Sequence, residues 1–194
     1  MNLTQLQKRI VANSENRDEW LTARNRGVTA SNAANLVTEK SLSSVIKSKF
    51  YDGFMGNPAT QHGLDREPIL LQQVGFPQNT DLYRSEQNER FMATPDGIKF
   101  NSDGDLELCQ VKTTSKHYTK MPTTHYRQVQ WEMFVMGATR CLYVWEEHEN
   151  FIPVDLEPAS VWVDRDDEQI NKLINLAEAL LIRLDRANAF EEEL

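Results

Sequence analysis

Residues with the types and spacing for phosphoryl chemistry lie in the middle of the chain. Asp96 sits in Thr94-Pro95-Asp96-Gly97-Ile98, and Gln110-Val111-Lys112 sits within the largely apolar run 106–114. Hydrolysing a phosphodiester sets water against an anion, so a divalent cation is needed to neutralise charge and lower the pKa of that water. Hard cations such as Mg²⁺ take carboxylate and carbonyl oxygens. If 106–114 is a strand, Gln110 and Lys112 project to the same face, because successive residues point oppositely. Asp96 on an adjacent strand–turn junction, Gln110 and the Val111 carbonyl are then candidate ligands, and Lys112 is placed to polarise the attacking water. Each piece also has an ordinary reading. Pro-Asp-Gly is a common hairpin turn, and a strand lysine is usually solvated. The combination is more specific than its parts.

Such a site needs a sheet to hold it. Short strands are expected at 82–84, 90–93, 98–100 and 106–113, with turns at Pro95-Asp96-Gly97 and Ser102-Asp103-Gly104. Further strands are expected at 140–146 and 161–163. Helices are predicted over 3–13, with Leu3, Leu6, Ile10 and Val11 on one stripe; over 17–24, with Trp20 and Leu21 inward; and from Thr29 or Ser31 through Val37. Others are predicted from Ser41 through Tyr51, ended by Gly53; over 59–73, kinked or split at Pro68; over 123–136; and over 168–189. Trp131, Met133, Phe134 and Met136 read as a buried helix face, and Trp145 and Trp162 as strand packing. The fold expected is α/β (α+β), a restriction-endonuclease-like central mixed sheet flanked by helices, with residues 1–194 as one domain.

Composition narrows the class. A net charge of −8 and two cysteines, Cys109 and Cys141, give no disulfide framework or zinc site. With no transmembrane run and no signal-type apolar segment, a cytoplasmic protein without membrane contact is expected. The acidic balance does not exclude nucleic acid, because phosphate contacts are local and the basic residues gather before Arg127. No Gly-rich phosphate loop, Gly-x-Ser-x-Gly elbow or His-Glu-x-x-His motif occurs, and the four histidines lack metal-ligand spacing. The acidic run Asp164–Asp167 suits a helix start.

Five ordered segments carry a resemblance. They are Trp20–Arg24 continuing through Gly27-Val28-Thr29-Ala30-Ser31; His62-Gly63-Leu64-Asp65-Arg66-Glu67; Thr94-Pro95-Asp96-Gly97; Gln110-Val111-Lys112; and Tyr126-Arg127-Gln128-Val129-Gln130-Trp131. Together they resemble the phage lambda-type exonucleases, the YqaJ-like viral recombinase group of the PD-(D/E)XK superfamily. The resemblance implies that Arg24, Ser31 and Thr29 seat a DNA phosphate, as a guanidinium and hydroxyls at a helix start can. It implies that Glu67 faces the metal with Asp96, Gln110 and Val111, and that Gln128 contacts the site. It further implies Mg²⁺ (or Mn²⁺), a 5′→3′ polarity on double-stranded DNA ends, a homotrimeric ring and a single-strand annealing partner.

One position departs from the family pattern. Its triplet is Glu-x-Lys, and this chain has Gln110, which keeps a neutral oxygen but removes one charge and weakens cation binding. A variant ligand in an active nuclease, an introduced substitution, and a catalytically silent homologue that grasps DNA ends all remain open. So does a structure-specific endonuclease on the same fold. Glu107 is three residues from Gln110 and faces away from it on a regular strand, so it does not replace the missing carboxylate.

Overall fold

In the computed structural model, residues 2–51 and 56–192 are described. Helices are α1 (Leu3–Gln7), α2 (Arg17–Asn25), α3 (Ala30–Ala33), α4 (Glu39–Tyr51), α5 (Pro58–Gln73), α6 (Thr123–Met136) and α7 (Asp167–Glu192). Strands are β1 (Ile10–Asn13), β2 (Val28–Thr29), β3 (Asp81–Arg84), β4 (Phe91–Ala93), β5 (Gly97–Phe100), β6 (Leu106–Thr114), β7 (Arg140–Glu149), β8 (Ile152–Pro153) and β9 (Ala159–Asp164). The class is mixed α/β, as expected, with the strands in two mixed sheets flanked by helices.

The first sheet has the order β1-β3-β4-β2, with β2 parallel to β4 and the other pairs antiparallel. In the second, β5 and β6 are antiparallel, and β6 and β7 run parallel from Glu107↔Arg140 to Thr114↔Glu147. Parallel neighbours need a crossover, and α6 supplies it. Strands β8 and β9 pair antiparallel with β7.

Alternation along β6 sorts its residues between two helices. Leu106 and Leu108 pack with Val129, Met133 and Met136 of α6, whereas Cys109 and Val111 pack with Leu70 and Leu71 of α5. A third core joins α3, α4, α6 and α7 to β2 and β4. There α7 contributes Ile170, Leu173, Ala177, Leu180, Leu181 and Leu184 at helical spacing. Asp166 starts α7 by accepting from Gln169 N at 3.0 Å, so this part of the acidic run serves the helix end. No helix among the described residues is long and apolar enough to cross a membrane.

Several local expectations are corrected. The predicted first helix stops at Gln7, and Ile10–Asn13 pairs with β3, some seventy residues on. Leu6 is buried, but Leu3, Ile10, Val11 and Leu21 are exposed. The helix begun at Thr29 has four residues and ends before Val37. Helix α5 runs through Pro68 without dividing. Leu64, whose carbonyl loses its partner there, lies on the exposed side where water can replace it. The α4 boundary expected at Gly53 lies outside the described residues.

The Pro95-Asp96-Gly97 segment is not a hairpin turn. It passes from the first sheet to the second, because β4 pairs with β3 and β2 whereas β5 pairs with β6. Gly97 is required for closeness: a Cβ there would lie 2.9 Å from Leu71 Cδ2 and 3.1 Å from both Phe76 Cβ and the Pro77 carbonyl oxygen. Gly97→Ala should therefore destabilise the fold by about 1–3 kcal/mol, the usual cost of overpacking, measured by urea denaturation. A loss below about 0.5 kcal/mol would show that the neighbours yield freely.

Candidate active site

Register brings Asp96 to β6. Gly97 pairs with Cys109 at the start of β5, so the preceding residue falls beside Gln110, past the end of the ladder. One Asp96 carboxylate oxygen, Oδ2, accepts from Val111 N at 2.7 Å and from Gln110 Nε2 at 2.5 Å. The N–H and C=O of one strand residue point to the same edge, so the Val111 carbonyl opens toward the same place as its amide. Lys112 shares the Gln110 face, and its ammonium has no hydrogen bond or ion pair among the described residues. Its charge reaches Asp96, Glu67 and Glu132.

Glu67 comes from α5, on the other side of β6. It accepts from Gln78 Nε2 at 3.1 Å, and burial, followed by the Asp96 charge, pushes its carboxyl up to about 7. Burial likewise raises Asp96, against the opposing effects of Lys112, Val111 N–H and the Gln110 amide. Helix α6 is fixed over the site by Trp131 Nε1, which donates to the Met92 carbonyl at 3.1 Å. Of the Tyr126–Trp131 run, only Gln128 turns toward the acids. Tyr126 and Gln130 bond to Asp166 at the start of α7, and Arg127 donates to the Ala34 carbonyl.

Gln128 Nε2 donates at 2.9 Å to Glu132, an acid that the sequence reading missed. Glu132 is fully buried, and burial, followed by the Asp96 charge, raises it to about 8. Its signal was present: one carboxylate inside the apolar run Trp131–Met136, one helical turn from Gln128. Glu107 is elsewhere. It is buried and held by Arg140, with Lys99 at 4.0 Å and Asn101 Nδ2 at 3.3 Å.

The donor set fits a hard divalent cation. Asp96, Gln110, the Val111 carbonyl and Glu67 offer oxygens, and Gln110 Oε1 is buried without a hydrogen-bond partner. An amide rotation exchanges that oxygen with the nitrogen now facing Asp96. Among the described residues no three His, Cys, Asp or Glu side chains gather closely enough to hold one ion, so a cation here would also have to draw on the Gln110 and Val111 oxygens.

Raised carboxyls carry a pH signature. Glu67 at about 7 and Glu132 at about 8 lie above the ordinary 4.5, so the folded chain keeps protons that the unfolded chain releases. Their contribution to stability is full below pH 4.5 and is lost as pH rises through 7 and 8. His62 and His125, both lowered by burial, act oppositely only below 6.5. In EDTA the melting temperature should therefore fall between pH 6.5 and 8, and Glu67→Gln/Glu132→Gln should flatten that slope. A rising melting temperature would contradict the acid cluster.

A second group lies on α2, β2 and α3. Arg24 Nη2 donates to Ser31 Oγ at 3.0 Å, and Ser31 Oγ lies 3.0 Å from Thr29 Oγ1. Arg24 stacks over Trp20 at 4.1 Å, and burial lowers it to about 10. Lys49 Nζ donates to the Arg24 carbonyl at 3.0 Å and falls to about 8 through burial and the charges of Arg24 and Arg90. The bare backbone of Gly27 permits this packing, since a Cβ would lie 2.1 Å from the Arg90 carbonyl oxygen that accepts from Val28 N. With α3 only one turn long, its dipole adds little to the positive charge that Arg24 and Lys49 bring here.

No protein of curated function matches the chain in sequence. Among solved structures, an alkaline exonuclease from Laribacter hongkongensis, LHK-Exo, matches with a TM-score of 0.70 at 22% identity over 91% of this chain and 96% of that one. Its complex with dAMP matches with a TM-score of 0.68 at 23% identity and the same coverages. A phage-related exonuclease from Haemophilus somnus 129PT matches with a TM-score of 0.67 at 16% identity, over 85% of this chain and 96% of that one. These identities establish the fold. The sequence model of the YqaJ-like viral recombinase domain matches residues 19–139, which include Arg24, Thr29, Ser31, Glu67, Asp96, Gln110, Val111, Lys112 and Gln128. Spanning well over half its length and both residue groups, that match makes the chain a member of the YqaJ-like viral recombinase domain family.

Proposed function

We propose that the chain is a divalent-cation-dependent exonuclease of PD-(D/E)XK type, degrading double-stranded DNA from 5′ ends in phage recombination. The observation that carries this reading is the junction of Asp96 with Gln110 and Val111, on the strand that presents Lys112. A bound Mg²⁺ would supply charge neutralisation and a more acidic water. Asp96, Gln110, the Val111 carbonyl and Glu67 would hold it. Lys112 orients the water, and Gln128 presents an amide to the scissile phosphate. Arg24, Ser31 and Thr29 seat the phosphate of the 5′ end, where two hydroxyls and a guanidinium can surround its oxygens. A ring of three copies and a single-strand annealing partner belong to the same reading, which is supported by the structural likeness to an alkaline exonuclease and a phage-related exonuclease.

A silent end-binding protein is the second reading. It is favoured by one observation: the Gln110 amide donates to Asp96 where a cation would otherwise lie. Linear duplex and covalently closed circles, each incubated with the chain and Mg²⁺ or Mn²⁺, separate the readings. Mononucleotides released from linear duplex alone support the exonuclease, and cut circles indicate an endonuclease. Retained ends without release, in the parent and in Gln110→Glu alike, would leave the silent reading standing and sink the first.

A further inference from the structure

The Glu132 carboxylate has no counter-charge bonded to it. The residue is 0% exposed, Gln128 donates to Oε1, and Oε2 is buried without a hydrogen-bond partner among the described residues. An acid so placed keeps its proton unless a cation draws it off and balances the charge. Two other buried glutamates of this chain have such a partner: Arg140 holds Glu107 and Arg66 holds Glu146.

Position suggests what balances Glu132. Leu106 and Leu108 face α6, so alternation sends Gln110 to the α6 side as well. Gln110 is 2% exposed, and its Oε1 is a second buried oxygen lacking a partner. Two unsatisfied oxygens therefore occupy the layer between β6 and α6, beside Asp96, whose charge is felt at Glu132. Charge counting leads the same way. A Glu-x-Lys triplet with Asp96 would give the ion two negative charges from this layer, whereas Gln110 leaves one. Glu132 restores the second.

We propose that Glu132 supplies a further negative charge to the cation site, beyond those of Asp96 and Glu67, replacing the carboxylate that the family triplet carries at position 110. It acts across the β6–α6 layer as a positioning residue, with Gln128 holding its orientation. This rests on the cation-dependent reading above.

Calorimetric titration of the full chain with Mn²⁺, without DNA, tests the assignment. Glu132→Gln keeps shape and removes charge, so its Mn²⁺ affinity should fall by about 10- to 100-fold, the range typical of lost outer-shell partners. Glu132→Asp keeps the charge and should bind within about threefold of the parent, as should Gln110→Glu/Glu132→Gln, which returns the charge to β6. Parental affinity in Glu132→Gln, or equal losses in the Gln and Asp variants, overturns the proposal and leaves the nuclease reading intact. A parent that binds no Mn²⁺ overturns both. Should Glu132→Gln fold poorly by circular dichroism, the double variant decides: parental affinity supports the charge exchange, and a loss beyond about tenfold refutes it.

Discussion

Asp96→Asn is expected to lower cleavage of linear duplex by about 10²–10³-fold or more, with the fold retained. The carboxylate joins β6 to the crossing between sheets by accepting from Val111 N and the Gln110 amide on Oδ2. An asparagine oxygen can accept both bonds, so the junction survives. Charge does not survive, and it is charge that draws a divalent ion into a site where position 110 is neutral. Removing a raised, buried carboxyl also lightens the electrostatic load on Glu67 and Glu132, both pushed upward by Asp96. The melting temperature in EDTA should hold or increase while Mn²⁺ binding and cleavage are lost together. A variant that cuts at the parental rate would remove Asp96 from the chemistry, and one that unfolds would make it a structural residue.

How much of this could be read from residues alone differs from one element to the next. The β5–β6 pair was legible because Ser102-Asp103-Gly104 closes it locally and both strands have clear ends. Its register then fixes Asp96 beside Gln110. Strand β1 was not legible. Its apolar residues fit a helical stripe, and only pairing with Tyr83 and Leu82 makes Ile10–Asn13 extended. No local signal reports a partner that far along the chain.

The sheet-crossing at Pro95 was misread for the same reason. A Pro-Asp-Gly string looks identical in a hairpin and in a passage between sheets until the neighbours of β4 and β5 are known. Glu132 shows a different limit. An acid in an apolar helix is visible in sequence, but its unpartnered oxygen and its proximity to Asp96 exist only once α6 lies over β6. Arg24 and Ser31 are joined by a hydrogen bond, and the helix that was to aid them is a single turn.

Lys112→Met should lose about 10²–10⁴-fold in cleavage, the range for a positioned proton-transfer or water-orienting group, with a profile opposite to that of Asp96→Asn. The Lys112 ammonium has no bonded partner among the described residues, yet its charge opposes the upward shifts of Glu67, Asp96 and Glu132. Removing it takes a positive charge away from the ion's neighbourhood, so, at a pH high enough to ionise those carboxyls, Mn²⁺ affinity should hold or strengthen while turnover collapses. The same loss raises the three carboxyls further, which moves the pH needed for cation binding upward. Lys112→Arg is not expected to rescue activity, because a planar, strongly basic fork cannot occupy the point at which an ammonium orients one water. Calorimetry and single-turnover cleavage on the same samples separate the effects. Weaker Mn²⁺ binding in Lys112→Met would place the lysine among the groups that assemble the site, and unchanged single-turnover cleavage would exclude it from the reaction.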